Sequence, residues 1–257
     1  GFPINNTGEQ SGLTVSANGR NAYFSSNADG GLGNMDIYLF ELPNSLKPHL
    51  VTYVKGYVFD AQSKEALDPS VRISELKNSK VIYDDNADFE TGQFLATMPA
   101  GHTYGLTVEK PGYLFYSANF SVDKVNTAQK PFLIKVPLQK IALGKTTTLN
   151  NIFFETNKTD LLQESKTELD QLIKFLRMNP GLSIEIVGHT DNVGEEKANR
   201  LLSENRAKTV FSYLVANKIS SSRLSFSGMG EIAAIADNST DEGRKKNRRT
   251  EFKIVKI

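Results

Sequence analysis

The stretch Gly188-His189-Thr190-Asp191-Asn192-Val193-Gly194, with Asn199, Leu202-Ser203 and Arg206-Ala207 after it, holds the residue types best suited to grip a ligand. An apolar strand pattern ends at Gly188 and a helical pattern begins a few residues later, so Asp191 falls at a strand-to-helix junction. Backbone N–H groups at such a helix start are free to receive an anion. The spacing of Asn199, Ser203 and Arg206 puts all three on one helix face. A carboxylate and a guanidinium near one pocket suit a zwitterion, the Asp taking an ammonium and the Arg forking onto a carboxylate. The plainer account stands beside this: Asp is a common helix cap, and an exposed helix Arg needs no ligand. His189 next to the pair fits either a pH-sensitive ligand or a structural group, and a lone His at a junction favours the second.

Other chemistries find little support. The three histidines, His49, His102 and His189, lie far apart, each alone in its segment. No His-Glu-x-x-His, Gly-x-Ser-x-Gly or phosphate-cradling Gly-x-x-x-x-Gly-Lys occurs, so the chain reads as non-enzymatic. Asp84, Asn86 and Asp88 imitate the start of a calcium loop, but Phe89 stands where glycine is needed and Leu95 where the bidentate glutamate belongs. A polar hairpin turn explains them better. The absence of cysteine removes disulfides, thiolate catalysis and Cys-based zinc sites, and no cofactor or metal is expected. The run Arg244-Lys245-Lys246-Asn247-Arg248-Arg249 reads as a solvated loop before the last strand, offset by Asp241 and Glu242. With a net charge of only +1, nucleic acid is not expected as a partner. No apolar run approaches the ~18 residues of a spanning helix, and no signal peptide is visible. Gly1-Phe2-Pro3 reads as mid-domain sequence, which suggests a piece of a longer protein whose export signal or lipid anchor lies upstream.

The elements that must carry these residues form three regions: 1–46, 52–138 and 146–257. In the first, Leu13-Thr14-Val15-Ser16, Ala22-Tyr23-Phe24-Ser25-Ser26 and Ile37-Tyr38-Leu39-Phe40 read as strands. Ala17-Asn18-Gly19-Arg20 and the Gly-rich stretch 29–33 supply their turns. The second region alternates apolar residues over 53–59, 71–73, 93–96 and 104–108, with turns every ~8–12 residues, the signature of a small all-β sandwich. In the third the period changes. Asn151-Ile152-Phe153-Phe154 predicts a strand, and Leu161, Leu162, Leu169, Leu172, Ile173 and Leu176 predict a helix ended by Asn179-Pro180-Gly181. A strand over 182–188 with Ile184 and Ile186 on one face, a helix from about Glu195 to Asn217, and strands at 224–226 and 250–255 complete an α+β unit of βαβαββ order. Its two strand-helix-strand connections are expected to be right-handed crossovers.

Several stretches resemble known families. Ser-Ala-Asn-Gly-Arg, Tyr-Phe-Ser-Ser-Asn and Met-Asp-Ile-Tyr, in that order, resemble one blade of a PD40-type β-propeller. Gly56-x-Val58-x-Asp60, Thr91-Gly92-x-Phe94, Pro99-Ala100-Gly101-x-x-Tyr104 and Lys110-Pro111-Gly112-Tyr113 resemble the carboxypeptidase-regulatory-like family, which implies a transthyretin-like seven-strand sandwich without a peptidase site. Thr190-Asp191, Asn199, Leu202-Ser203-x-x-Arg206-Ala207, Arg223-Leu224, Gly228-x-Gly230, Asn238-x-Thr240-x-x-Gly243-Arg244 and Asn247-Arg248-Arg249-x-Glu251 resemble the OmpA-like C-terminal domain across 146–257. Phe153-Phe154-Glu155-Thr156-Asn157 also fits that family's opening.

This last resemblance implies non-covalent binding of peptidoglycan through the diaminopimelate side chain of its stem peptide. Asp191 would pair with the ammonium and Arg206 with the carboxylate, while Thr190, Asn157 and Asn199 complete the pocket by hydrogen bonds. Ala233-Ala234 stands where the family usually carries a proline, which is expected to loosen that loop. The order of blade, sandwich and OmpA-like domain resembles the PorE-type lipoproteins of the type IX secretion machinery. That order implies a periplasmic tether, associated with the outer membrane through an N-terminal anchor, with envelope or secretion proteins as further partners. The alternative is an envelope scaffold whose wall-binding pocket is vestigial.

Overall fold

Alternating apolar residues account for most of the architecture in the computed structural model, which describes residues 9–16, 19–27, 32–47, 50–124, 126–127, 129–155 and 158–257. The first region is a three-stranded antiparallel sheet of β1 (Gln10–Val15), β2 (Asn21–Ser26) and β3 (Asp36–Glu41), in that order. Phe24 stacks on Tyr38 at 5.5 Å and meets Phe40 edge-on at 5.9 Å, which gives one face an aromatic cluster. Parts of both turns expected between these strands, at 17–18 and 29–31, lie outside the described residues.

Seven strands build the second region: β4 (Val51–Asp60), β5 (Ser70–Glu75), β6 (Val81–Asn86), β7 (Gln93–Pro99), β8 (Thr103–Glu109), β9 (Tyr116–Ser121) and β10 (Phe132–Leu138). They form two sheets, β10-β4-β7 and β6-β5-β8-β9. The alternation in β4 and β7 turns Val54, Val58, Phe94, Ala96 and Met98 inward, onto Val71, Ile73, Leu106 and Val108 of the other sheet. Asp84 pairs with Arg72 at 2.8 Å, and Asp88 accepts from Thr91 in the turn before β7, so both are engaged locally. The described residues of the first two regions are thus β-rich.

The third region holds β11 (Thr146–Leu149), α1 (Lys166–Met178), β12 (Ser183–Gly188), α2 (Glu196–Ala216), β13 (Leu224–Gly228), α3 (Asp241–Asn247) and β14 (Thr250–Lys256). Its sheet runs β11-β14-β12-β13; β12 and β13 are parallel, as a crossover through α2 requires, and β14 is antiparallel to both its neighbours. Ile184 and Ile186 are fully buried on one face with Phe252 and Ile254, beneath Leu169, Leu172 and Leu176 of α1 and Val210 and Leu214 of α2. Among the described residues no helix is long and apolar enough to cross a membrane.

Three expectations need correction. The opening strand is Thr146–Leu149 rather than 151–154, where Ile152 and Phe154 pack against the core from irregular backbone. Helix α1 begins at Lys166; Leu161 and Leu162 precede it, tied back by a bridge to Phe154 and by Leu162 N–H donating to Phe153 O. The segment before the last strand is not a plain loop but contains α3. Thr240 caps it by accepting from Gly243 N–H, Asp241 and Glu242 lie in its first turn, and Arg244, Lys245 and Lys246 lie in its last, the distribution that suits the helix dipole.

Candidate functional site

Glycine brings the site's helix close to the sheet. A Cβ on Gly188 would stand 2.1 Å from Ser203 O, and one on Gly228 would stand 2.3 Å from Glu204 N, so α2 lies directly against the backbone of β12 and β13. Gly230 N–H donates to Ser203 Oγ at 2.9 Å, fixing the turn after β13 to the same helix. The loop 189–195 is thereby wedged between β12 and α2. It carries His189, Thr190 and Asp191, all buried.

Asp191 is held at both carboxylate oxygens. Val193 N–H donates to Oδ1 at 3.1 Å, and Arg248 Nη1 donates to Oδ2 at 2.5 Å. Asn199, buried on the first turn of α2, donates through Nδ2 to Asp191 O at 3.3 Å and to Glu231 Oε2 at 2.8 Å, so its amide supports the loop. Thr190 N–H donates to Gly230 O, while its buried Oγ1 finds no hydrogen-bond partner among the described residues. A buried hydroxyl without a partner is costly, which marks it as a place where a ligand has something to satisfy.

Arg206 projects from the next turns of α2. Its Nε donates to Lys158 O at 3.1 Å and its Nη2 to Glu155 O at 3.3 Å, and the guanidinium lies 5.0 Å from the centre of the Phe154 ring. No acidic side chain forms an ion pair with it among the described residues. Burial lowers its pKa, the like charge of Arg248 lowers it further, and Asp191 opposes both. Arg206, Arg248 and Asp191 therefore share one electrostatic neighbourhood of two guanidiniums and one carboxylate. Of the five residues expected at the site, the structure groups Asp191, Thr190 and Asn199 in one loop-and-helix cluster and sets Arg206 within electrostatic reach. Asn157 lies outside the described residues.

Two features escaped the sequence reading. Arg248 belongs to the site, contacting Asp191 across 57 positions of chain. Beneath the loop, His189 Nε2 stands 3.6 Å from Glu251 Oε2, and Arg249 Nε donates to Glu251 Oε1 at 2.6 Å. Burial alone would raise the Glu251 pKa, but the His189 and Arg249 partners outweigh it and bring the carboxyl down to about 2. The loosening expected at Ala233-Ala234 is opposed by the end of α3 and the residues that lead into β14. Asn247 Oδ1 accepts from Ile235 and Ala236 N–H, its Nδ2 donates to Ala236 O, and Arg249 Nη2 donates to Ala233 O.

Comparison with known proteins bears on the region that carries this cluster. Residues 153–248 match the model of the OmpA family, so the third region contains an OmpA-like domain. An outer membrane protein A of Bordetella avium is 38% identical over 133 residues, which is 52% of this chain and 66% of that protein. A peptidoglycan-binding protein, ArfA, of Mycobacterium bovis is 37% identical over 103 residues, 40% of this chain and 32% of that protein. The chain thus spans from under a third to just under two thirds of the length of these relatives. Among solved structures, the peptidoglycan-associated lipoprotein of Burkholderia pseudomallei is 21% identical, with a TM-score of 0.38 over 40% of this chain and 87% of that one.

Proposed function

We propose that the OmpA-like domain binds peptidoglycan non-covalently and tethers an envelope assembly to the cell wall, with the diaminopimelate side chain of the stem peptide as its ligand. The observation that carries this reading is Arg206, a part-buried guanidinium whose hydrogen-bond partners among the described residues are main-chain carbonyls, set beside the carboxylate of Asp191. Such a pair is complementary to one carboxylate and one ammonium on a single carbon, which is the free end of diaminopimelate. Thr190 Oγ1, buried and without a partner among the described residues, is a further group for the ligand to engage. The name of the Mycobacterium relative supports the wall as the target. The names of the outer membrane and lipoprotein relatives support a place in the envelope, at the outer membrane.

The domain does no covalent chemistry in this reading; it captures a repeated small epitope, and avidity over a polymeric wall strengthens the hold. A resemblance in domain order to PorE-type lipoproteins supports the type IX secretion machinery as the tethered assembly. The test is co-sedimentation with purified diaminopimelate-type peptidoglycan, beside Asp191→Ala and Arg206→Ala. Removing one partner of a desolvated charge contact costs ~2–5 kcal/mol, so each substitution is expected to weaken binding roughly thirtyfold or more. Equal pelleting of wild type and variants would overturn the site, and a wild type that stays soluble would overturn wall binding itself.

A further inference from the structure

Where β9 of the sandwich meets α1 of the OmpA-like domain, a cluster of polar side chains is buried beside the apolar contact of Leu114 and Phe115. Glu168 on α1 is 1% exposed, Asn151 in the segment after β11 is 3% exposed, and Gln171, one turn along α1, is 6% exposed. Asn151 Nδ2 donates to Glu168 Oε2 at 3.1 Å, and it also reaches Ser117 Oγ at 3.2 Å and Ala118 O at 3.3 Å on β9. The sandwich closes over this cluster: a Cβ on Gly105 of β8 would come within 3.5 Å of Asn151 Nδ2. Three buried oxygens are then left without a hydrogen-bond partner, Asn151 Oδ1, Glu168 Oε1 and Gln171 Oε1. All three are acceptors, and acceptors cannot satisfy one another.

Among the described residues no cation pairs with them. The groups facing Glu168 are the Ser117 hydroxyl of β9, the Asn151 amide, the backbone N–H groups of Asn150 and Asn151, and Gln171 on its own helix, all neutral. The charged groups nearby on the packed elements are engaged with each other: Lys166 with Asp170, Lys174 with Glu109, and His102 with Glu75. An ionised carboxylate at this place would be buried without a counter-charge, which is among the most costly arrangements in a protein interior. A proton on the carboxyl group removes that charge and turns one of the three acceptors into a donor.

We propose that Glu168 is a proton-operated latch between the sandwich and the OmpA-like domain, tightening their contact when protonated and loosening it when ionised. This holds whatever the site around Asp191 binds. Burial is the main reason the Glu168 pKa stands at about 7 instead of 4.5, with the Ser117 and Asn151 groups only partly opposing it. The sign follows. Below about 4.5 the carboxyl carries its proton whether the domains are together or apart. Between 4.5 and about 7 the separated form loses the proton and the docked form keeps it, so docking weakens as pH rises and levels off above about 7.

The chain lacks cysteine, so cysteines placed at the exposed positions Lys135 and Lys208 take a donor–acceptor dye pair without side reactions. In the intact chain the expected result is energy transfer that falls between about pH 5 and about pH 8, reporting a docking constant up to about a hundredfold weaker. Glu168→Gln, which cannot ionise, is expected to hold its transfer constant over that range. A wild type that is flat with pH, or a Glu168→Gln variant that follows the same slope, would overturn the latch. If that variant fails to fold, the infrared C=O band of a protonated carboxyl decides in the wild type. Loss of the band through the neutral range supports the latch, and its absence already at about pH 5 overturns it.

Discussion

Asp191 accepts at both carboxylate oxygens, from Val193 N–H at Oδ1 and from Arg248 at Oδ2, so its orientation is set before any ligand arrives. Preorganisation of this kind spares a binding site the cost of ordering its own groups. Arg248 is the less buried partner, with 47% of its side chain exposed against 10% for Asp191, so the pair adds little to folding while deciding where the carboxylate points. Arg248 also contributes the second positive charge of the pocket, which favours the carboxylate end of a zwitterion. Arg248→Ala is therefore expected to weaken wall binding about tenfold while shifting stability by no more than about 1 kcal/mol. Arg248→Lys restores the charge but not the planar fork, and is expected to recover only part of the affinity. Co-sedimentation alongside urea denaturation separates the two effects, and unchanged affinity in the Ala variant would remove Arg248 from the site.

At the scale of elements, the position of α2 decides the site, because α2 carries Asn199 and Arg206 and is fixed by two glycines beneath it. Gly228→Ala would put a methyl 2.3 Å from Glu204 N and 2.7 Å from Arg200 O, both backbone atoms that cannot swing aside. The helix must lift, at a cost of about 1–3 kcal/mol, and wall binding should fall with it because Arg206 moves away from Asp191. Gly181→Ala, in open space after α1, is the matched control and is expected to stay within about 0.5 kcal/mol of wild type in urea denaturation. If the Gly228 variant kept full stability and affinity, the close approach would not be what positions the helix. Strands β12 and β14 were legible in the sequence because each buries a regular apolar face, as Ile184 with Ile186 and Phe252 with Ile254 show, whereas the buried face of α2 starts from polar Asn199 and Ser203 and turns apolar only at Ala207, Val210 and Leu214. Strand β11 was not, since Thr-Thr-Thr-Leu buries only Leu149, while the more apolar 151–154 packs without joining the sheet. The cap and charge order of α3 was written in Thr240, Asp241 and Arg244, but its basic run drew the eye to solvent. Asp191 and Arg206 could be paired from the junction and the helix spacing; Arg248 could not, because nothing local relates it to a residue 57 positions away.

For the molecule as a whole, the decisive residue is one that leaves its own domain. Leu114 and Phe115, between β8 and β9 of the sandwich, are buried in the apolar cluster of the OmpA-like domain. Phe115 stacks on Phe252 of β14 at 5.5 Å and meets Phe175 of α1 edge-on at 5.7 Å, so the sandwich keeps its own core and lends two residues to that of the OmpA-like domain. This insertion couples the two cores, and the wild type is expected to lose the sandwich and the OmpA-like domain in a single urea transition. Phe115→Ala leaves a cavity between β14 and α1 and costs about 3–5 kcal/mol, most of it in the coupling. The variant should show two transitions, read by probes placed in each domain. Wall binding should survive the substitution, because the bonds that build the site, Asp191 to Arg248 and Arg206 to the carbonyls of Glu155 and Lys158, all lie within the C-terminal region. Loss of binding together with the split transition would mean that the sandwich holds the site in shape, and the OmpA-like domain would then not be a separable anchor but one half of a composite one.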